Sequence, residues 1–435
     1  MSVDETTTPN DHPDRPNASA SPSEGARPPV VTADPRLLVR RPGSAGHLDA
    51  FRRRLGGGDL GAVPVVVGLA AIWGVFQTLN PAFLSAQNLS NIAVAMVATG
   101  MMSVGVTFVL LLGEIDLSVG SVSGVGGALF ALLAVTHGVD EWVALVCAVA
   151  TGAIIGAVHG VVFARLGAPA FAVTLAGLLF WNGLMLRLLG SNGTINIDSE
   201  GVVGALTTHY FSDVAAAHGL ATLAVVGYGA AALRDTRRRI AAGIPARSPG
   251  EIALRTGLLA CVAYAAATVL NQYKGLPLAT ALFLAVLVTM DFLLRRTAYG
   301  RKVTALGGGV EASRRAGVDV AAVRVSVFAL SGFFAAVGGL FWASKIAAAN
   351  QSAGSGDLLM NVIAAAVIGG TSLFGGRGRV WNALLGVMVI TSIQYGLALQ
   401  GVGAPVQYMI TGGVLLATVV LDSATRRSRR TAGRG

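Results

Sequence analysis

A chain of 435 residues with 53% hydrophobic side chains and 57 glycines, but only 12% charged residues, cannot clothe a soluble domain of its size. Soluble globular proteins carry roughly 25% charged residues, so the composition points to a bilayer as solvent and to closely packed helices within it. The net charge of +10 is spread over short loops with no basic patch interleaved with aromatics, which excludes nucleic acid as a partner.

Residues 1–55 are rich in Pro, Ser, Thr and Asp, lack a long apolar run and have no signal-peptide core. They read as a disordered cytoplasmic tail, and the first span then serves as its own insertion signal. A membrane helix needs about 20 apolar residues. Apolar runs of that kind fall near 60–79, 90–112, 117–137, 141–163, 169–189, 214–233, 253–270, 277–294, 323–344, 357–371, 380–399 and 405–421. The fold class is therefore all-α: a polytopic transmembrane bundle over 56–424, with about twelve spans, some broken or re-entrant, and a basic tail over 425–435. The runs at 214–233, 253–270 and 357–371 are the weakest, being short or rich in small residues.

Arginines test that count. They gather before the first span (Arg52 to Arg54), around Arg165, at Arg234 to Arg247, across Arg295 to Arg315, at Arg377 and Arg379, and in the tail from Arg426. The alternate loops hold only Lys274 and Lys345, and Gly190–Asp213 has no basic residue at all. The positive-inside rule then puts both termini in the cytoplasm and requires an even number of spans. Among the loops expected on the basic side, Gly113–Asp116 has no basic residue to fix its side. Gly152, Gly156 and Gly160, and Gly120 with Gly124, recur at four-residue spacing, which suits close packing against helices of the same chain. Cys147 and Cys261 lie in apolar runs and read as small packing residues, with no metal-ligand spacing around them.

Three segments carry chemistry. In Gly113-Glu-Ile-Asp-Leu-Ser-Val-Gly-Ser121, the carboxylates of Glu114 and Asp116 stand between two apolar spans. At mid-membrane each costs roughly 2.5–3.5 kcal/mol. Either Asp116 or Ser118 caps the next helix while Glu114 stays in headgroup water, or the segment breaks the helix and lines a solute route with Glu114, Asp116, Ser118 and Ser121. The long loop over about 295–322 centres on a short helix in Gly307–Gly317, with Glu311 in its first turn and Gly317 to end it. That helix is either a solvated connector or a docking knob. Ile368-Gly-Gly-Thr-Ser-Leu-Phe-Gly-Gly-Arg-Gly378 is either a tight turn or a broken span exposing Thr371. No phosphate loop occurs in the chain, and no catalytic constellation is recognisable. Asn182, Asn361 and Gln394 could face a solute or bond a neighbouring helix, His159 reads as structural, and Asp291 is expected to pair with Arg295 or Arg296.

The run Glu114-Ile-Asp-Leu-Ser-Val-Gly-Ser121 resembles the signature of permease subunits from ATP-binding-cassette sugar importers of the ribose, xylose and arabinose type. Thr297–Gly317 is similar to that family's coupling loop, and Ala366–Gly376 to its late glycine-rich segment. The xylose-type members are the nearer likeness, through the extra spans at 214–270 and the ending Leu421-Asp-Ser-Ala-Thr-Arg-Arg. Gly309 and Ser313 stand where the family often has Asn and Ala. The resemblance implies the permease fold of an importer in the plasma membrane. A cytoplasmic ATPase subunit, holding ATP and magnesium, would dock at Gly300, Arg301, Gly307, Val310, Glu311, Ala312, Arg314, Arg315 and Gly317. An extracytoplasmic sugar-binding protein and a second, identical permease chain would complete the system. This chain would then bind no cofactor or metal and catalyse nothing. An ion-coupled secondary sugar transporter is the alternative.

Overall fold

The computed structural model describes residues 63–244, 246–354 and 356–431, so the expected tail 1–55 and the last residues of the basic tail lie outside it. Helices α1 (Val63–Leu79), α2 (Ala86–Leu111), α3 (Val119–Ala131), α4 (Glu141–Leu166), α5 (Ala170–Leu189), α6 (Ala205–Thr208), α7 (Val214–Ala241) and α8 (Pro249–Asn271) form the first part of the bundle. The rest comprises α9 (Leu278–Arg296), α10 (Ala298–Gly308), α11 (Val310–Arg315), α12 (Val320–Ile346), α13 (Gly356–Ile368), α14 (Val380–Leu399) and α15 (Ala404–Thr431). Among the described residues, nine helices are long and apolar enough to cross a bilayer, α3 being counted with the π turn Leu132–Thr136 that continues it, and α1, α13 and the apolar part of α15 are shorter. Every expected span is thus a helix, and the chain is a multi-pass membrane protein.

Local sequence explains where helices begin. Ser85, Asp140, Asp213, Ser248 and Asp319 each accept a hydrogen bond from a free N–H in the first turn of the helix that follows. Of the three weak spans, α7 and α8 prove long, at 28 and 23 residues. They pack on each other through Ala217, Ala221 and Ala267 and otherwise face outward, whereas α2 is almost wholly buried. Cys147 and Cys261 are exposed on α4 and α8, which corrects their reading as packing residues.

The tightest seam joins α4 to α12. A Cβ at Gly152 or Gly156 would strike the carbonyl of Gly332 or Phe328, and one at Gly160 would lie 2.7 Å from the Val325 Cα. Helices can approach this closely only where no side chain intervenes. The glycine repeat therefore packs within the chain, as expected.

Loops meet loops of their own end. Strands β1 (Thr194–Asn196) and β4 (Ala348–Asn350) pair antiparallel with Ile195 opposite Ala349. Strands β2 (Tyr210–Phe211) and β3 (Leu276–Pro277) pair the same way. These bind together the loops poor in basic residues. At the other end Gly376 N donates to Leu111 O at 2.9 Å, and Arg324 pairs with Glu114. The loop Gly113–Asp116, with no basic residue of its own, therefore lies at the basic end.

The span expected over 357–371 stops at Ile368, because Gly370 adopts φ +103 and turns the chain. At 1.5 Å per residue α13 covers about 20 Å of a hydrocarbon core about 30 Å thick. Before it stand β4 and the 3₁₀ turn Gln351–Gly354, whose Ala353 O accepts from Ser123 Oγ at 3.1 Å. This is a broken crossing.

Overpacking the α4–α12 seam should destabilise the bundle. Gly156→Val is expected to cost about 1–3 kcal/mol in thermal unfolding in detergent, while Gly183→Ala, with open space around it, is expected to be neutral.

Candidate functional site

Between α2 and α3 the chain leaves helix geometry at Gly113, with φ +81, and re-enters the bundle as residues 114–118. Ser118 meets His159, which lies about two turns inside the end of α4, so this segment sits within the bundle and not at its rim.

Asp116 is its anchor, only 3% exposed. Its Oδ1 accepts from Ser118 N at 2.9 Å and Ser118 Oγ at 2.6 Å, and its Oδ2 accepts from Ser331 Oγ of α12 at 2.8 Å. Trp181 Nε1 of α5 donates to His159 Nε2 at 2.9 Å. That bond makes Nε2 the acceptor, so Nδ1 carries the proton and donates to Ser118 Oγ at 3.2 Å. Ser118 Oγ then spends its own proton on Asp116. One carboxyl group thereby ties α3, α4, α5 and α12 together. Asp116, not Ser118, satisfies the free N–H at the entrance to α3, since Ser118 makes no side-chain cap. Thr174 Oγ1 adds a bond to Ile115 O at 3.3 Å.

The second non-helical segment arrives from the opposite end and meets the first turns of α3. Gly354 packs against Ser121 and Met185, beside the amide oxygen of Asn182. Ser121 donates inward to Ser118 O at 2.9 Å. The expected route residues therefore divide. Asp116, Ser118 and Ser121 are buried and bonded within the chain, with Asn182 beside them half-buried. Thr371 is buried in the α13–α14 turn, where Asn382 Nδ2 reaches it at 3.4 Å. Asn361 on α13 and Gln394 on α14 stand apart from this cluster. Asn182, Asn361 and Gln394 make no side-chain hydrogen bond among the described residues, which leaves three amides free for water, solute or a partner.

Glu114 points the other way. It is a quarter exposed and lies 3.7 Å from Arg324, whose guanidinium also covers the Phe163 ring at 4.3 Å. Asp291 pairs with Arg295 at 3.6 Å, as expected.

The long loop holds two helices where one was expected. The first, α10, turns its Val303 and Leu306 inward, and Gly300 is buried against Leu294. The second, α11, buries Ser313 and exposes Glu311, Ala312, Arg314 and Arg315, while Arg301 is exposed on α10 and Val310 is half-buried. Glu311 is held by Arg314 at 3.4 Å and Arg315 at 3.2 Å. Gly317, with φ +79, ends the helix: its N–H bonds Arg314 O, and Val318 N–H bonds Ser313 O. The result is a short exposed helix on a rigid mount. Gly307, expected among the docking residues, lies instead in the seam beside that helix: a Cβ there would strike Leu111 O and come 2.7 Å from Gly376 N, so it is no part of the exposed face of α11.

Sequence reasoning placed Asp116 and Ser118 here and read His159 as structural, but missed Trp181, Ser331 and Arg324. The one signal for His159 was its polarity beside Gly160 on an apolar face. Among the described residues, no three His, Cys, Asp or Glu side chains gather as a metal ion would need.

Ser331→Ala is expected to cost about 1.5–3 kcal/mol of stability, as a lost bond to a charged acceptor; thermal unfolding measures it.

Residues 88–419 match the family described as branched-chain amino acid transport system / permease component. The xylose transport system permease protein XylH of Escherichia coli (strain K12) is 34% identical over 369 residues, 83% of this chain and 92% of that protein. Its counterpart in Haemophilus influenzae is 33% identical over 365 residues, covering 83% and 96%. The ribose import permease protein RbsC of Bacillus subtilis (strain 168) is 28% identical over 376 residues, covering 86% and 94%. No solved structure matches. With its multi-pass helical bundle and its length shared almost end to end with these relatives, the chain belongs to the permease components of ATP-binding-cassette sugar transport systems.

Proposed function

We propose that this chain is the membrane-spanning subunit of an importer that takes up a monosaccharide, a pentose such as xylose, at the expense of ATP hydrolysed on separate subunits. The observation that carries this reading is the similarity to a xylose permease over 92% of that protein's length. The exposed α11 on its rigid mount suits a docking knob for the ATPase, which would hold ATP and magnesium. Both termini then lie in the cytoplasm, since α11 stands at the basic end. The opposite end, with its paired loops β1–β4 and β2–β3, would receive an extracytoplasmic sugar-binding protein. A second copy of the chain would complete the path.

The internal bonding of the carboxylates supports this reading over ion coupling. A proton or sodium site needs a carboxylate free to exchange its partner. Asp116 is spent on Ser118 and Ser331, and Glu114 faces Arg324.

Proteoliposomes holding the chain, the ATPase and the binding protein are expected to accumulate xylose only when supplied with MgATP. Uptake that persists without the ATPase and collapses with a protonophore would replace this reading with ion-coupled transport. Exchanging Val310–Gly317 for a flexible Gly/Ser stretch should leave membrane insertion intact and abolish co-purification of the ATPase.

A further inference from the structure

We propose that residues 112–118 form the joint through which movement of α10 and α11 is passed to the bundle, with Gly307 and Arg324 as its positioning residues. This rests on the reading of α11 as the ATPase contact, and it goes beyond that reading by naming where the motion is delivered.

Three segments far apart in the chain meet here without side chains between them. Gly376 N donates to Leu111 O at 2.9 Å. A Cβ at Gly307 would strike Leu111 O, and one at Gly375 would lie 2.9 Å from both Gly113 N and Gly307 O. The end of α2, the end of α10 and the α13–α14 turn are thus in backbone contact, which transmits a displacement that flexible side chains would absorb. Gly113, Gly375 and Gly376 all hold positive φ, so the contact depends on glycine at each.

The same short segment is tied to α12 twice. Arg324, in the second turn of α12 just after the coupling loop, reaches Glu114. Ser331, about two turns further along, reaches Asp116. Asp116 in turn holds the start of α3 and, through Ser118 and His159, the helices α4 and α5. A push on α10 is therefore received at Leu111–Gly113 and distributed by Glu114 and Asp116 to α2, α3, α4, α5 and α12. The surface of α11 has no part in these bonds, so docking and transmission are separable.

The reconstituted three-component system tests this. Gly307→Ala adds one methyl group at the seam and none to the exposed face of α11, while Gly257→Ala on α8 meets open space and serves as the control. The expected result for Gly307→Ala is retained ATPase co-purification and hydrolysis with xylose imported per ATP reduced about tenfold, within the usual range of a coupling effect. Gly257→Ala should match wild type. Should Gly307→Ala not be recovered folded, the double variant Glu114→Gln with Arg324→Gln, which adds no volume, is expected to lower the same ratio. A wild-type ratio in the folded variant, or loss of ATPase co-purification with Gly307→Ala, overturns the joint alone. Absence of ATP-driven uptake in the wild-type assembly overturns the importer reading itself.

Discussion

Hydrocarbon offers a peptide group nothing in place of water, so each stretch that leaves helix geometry inside this bundle must be bonded by another stretch of protein. The chain breaks its helices in two such places, after α2 and before α13, and both breaks end on the first turns of α3. At the first, Asp116 takes the bonds that a continuing helix would have supplied, and Thr174 caps the Ile115 carbonyl. At the second, Ser123 holds the Ala353 carbonyl. The short helix α3 is where the two repairs meet, and its neighbours α4, α5 and α12 are fixed by the same polar groups.

Close packing complements this polar centre. Lipid gives helices no hydrophobic reason to associate, so association comes from contact between surfaces that fit. The glycines of α4 lay one backbone against another at Gly332 and Phe328. At the basic end the same device joins Leu111, Gly307 and Gly376. The contrast with α7 and α8 is instructive. Their glycines at 219, 227 and 257 meet open space, and the pair stands at the margin of the bundle. Close backbone contacts are found at the core and at the basic end, and not along α7 and α8.

Hydropathy alone located every helix that crosses, because an apolar run of the right length has few other uses in a chain this poor in charge. Arginine placement sorted the loops into two sets, and strand pairing joined the poorly charged set as that sorting required. The polar centre was legible only in part. Asp116 and Ser118 stood out between apolar spans, but His159, Trp181 and Ser331 are single polar residues on apolar faces, with no periodicity to mark them. Their bonds run across 41 residues from Ser118 to His159 and 215 from Asp116 to Ser331, a range over which one sequence carries no pairing signal. Arg324 stands at the start of the apolar run 323–344, and nothing in the sequence marks its partner at Glu114. The extra helix α10 was missed because its apolar side is narrow, with only Val303 and Leu306 buried besides Gly300.

The span of 215 residues between Asp116 and Ser331 also sets an order on biosynthesis. A ribosome adding about 5–20 residues per second delivers Ser331 roughly ten to forty seconds after Asp116 has left the exit tunnel. His159 and Trp181 arrive early, within the next two helices, but they reach Asp116 only through Ser118. Until α12 is made, one oxygen of the carboxyl group lacks its serine. A chain truncated before α12 would insert its first helices and still lack the bond that seats them, which makes α12 the element that turns a set of inserted helices into a permease.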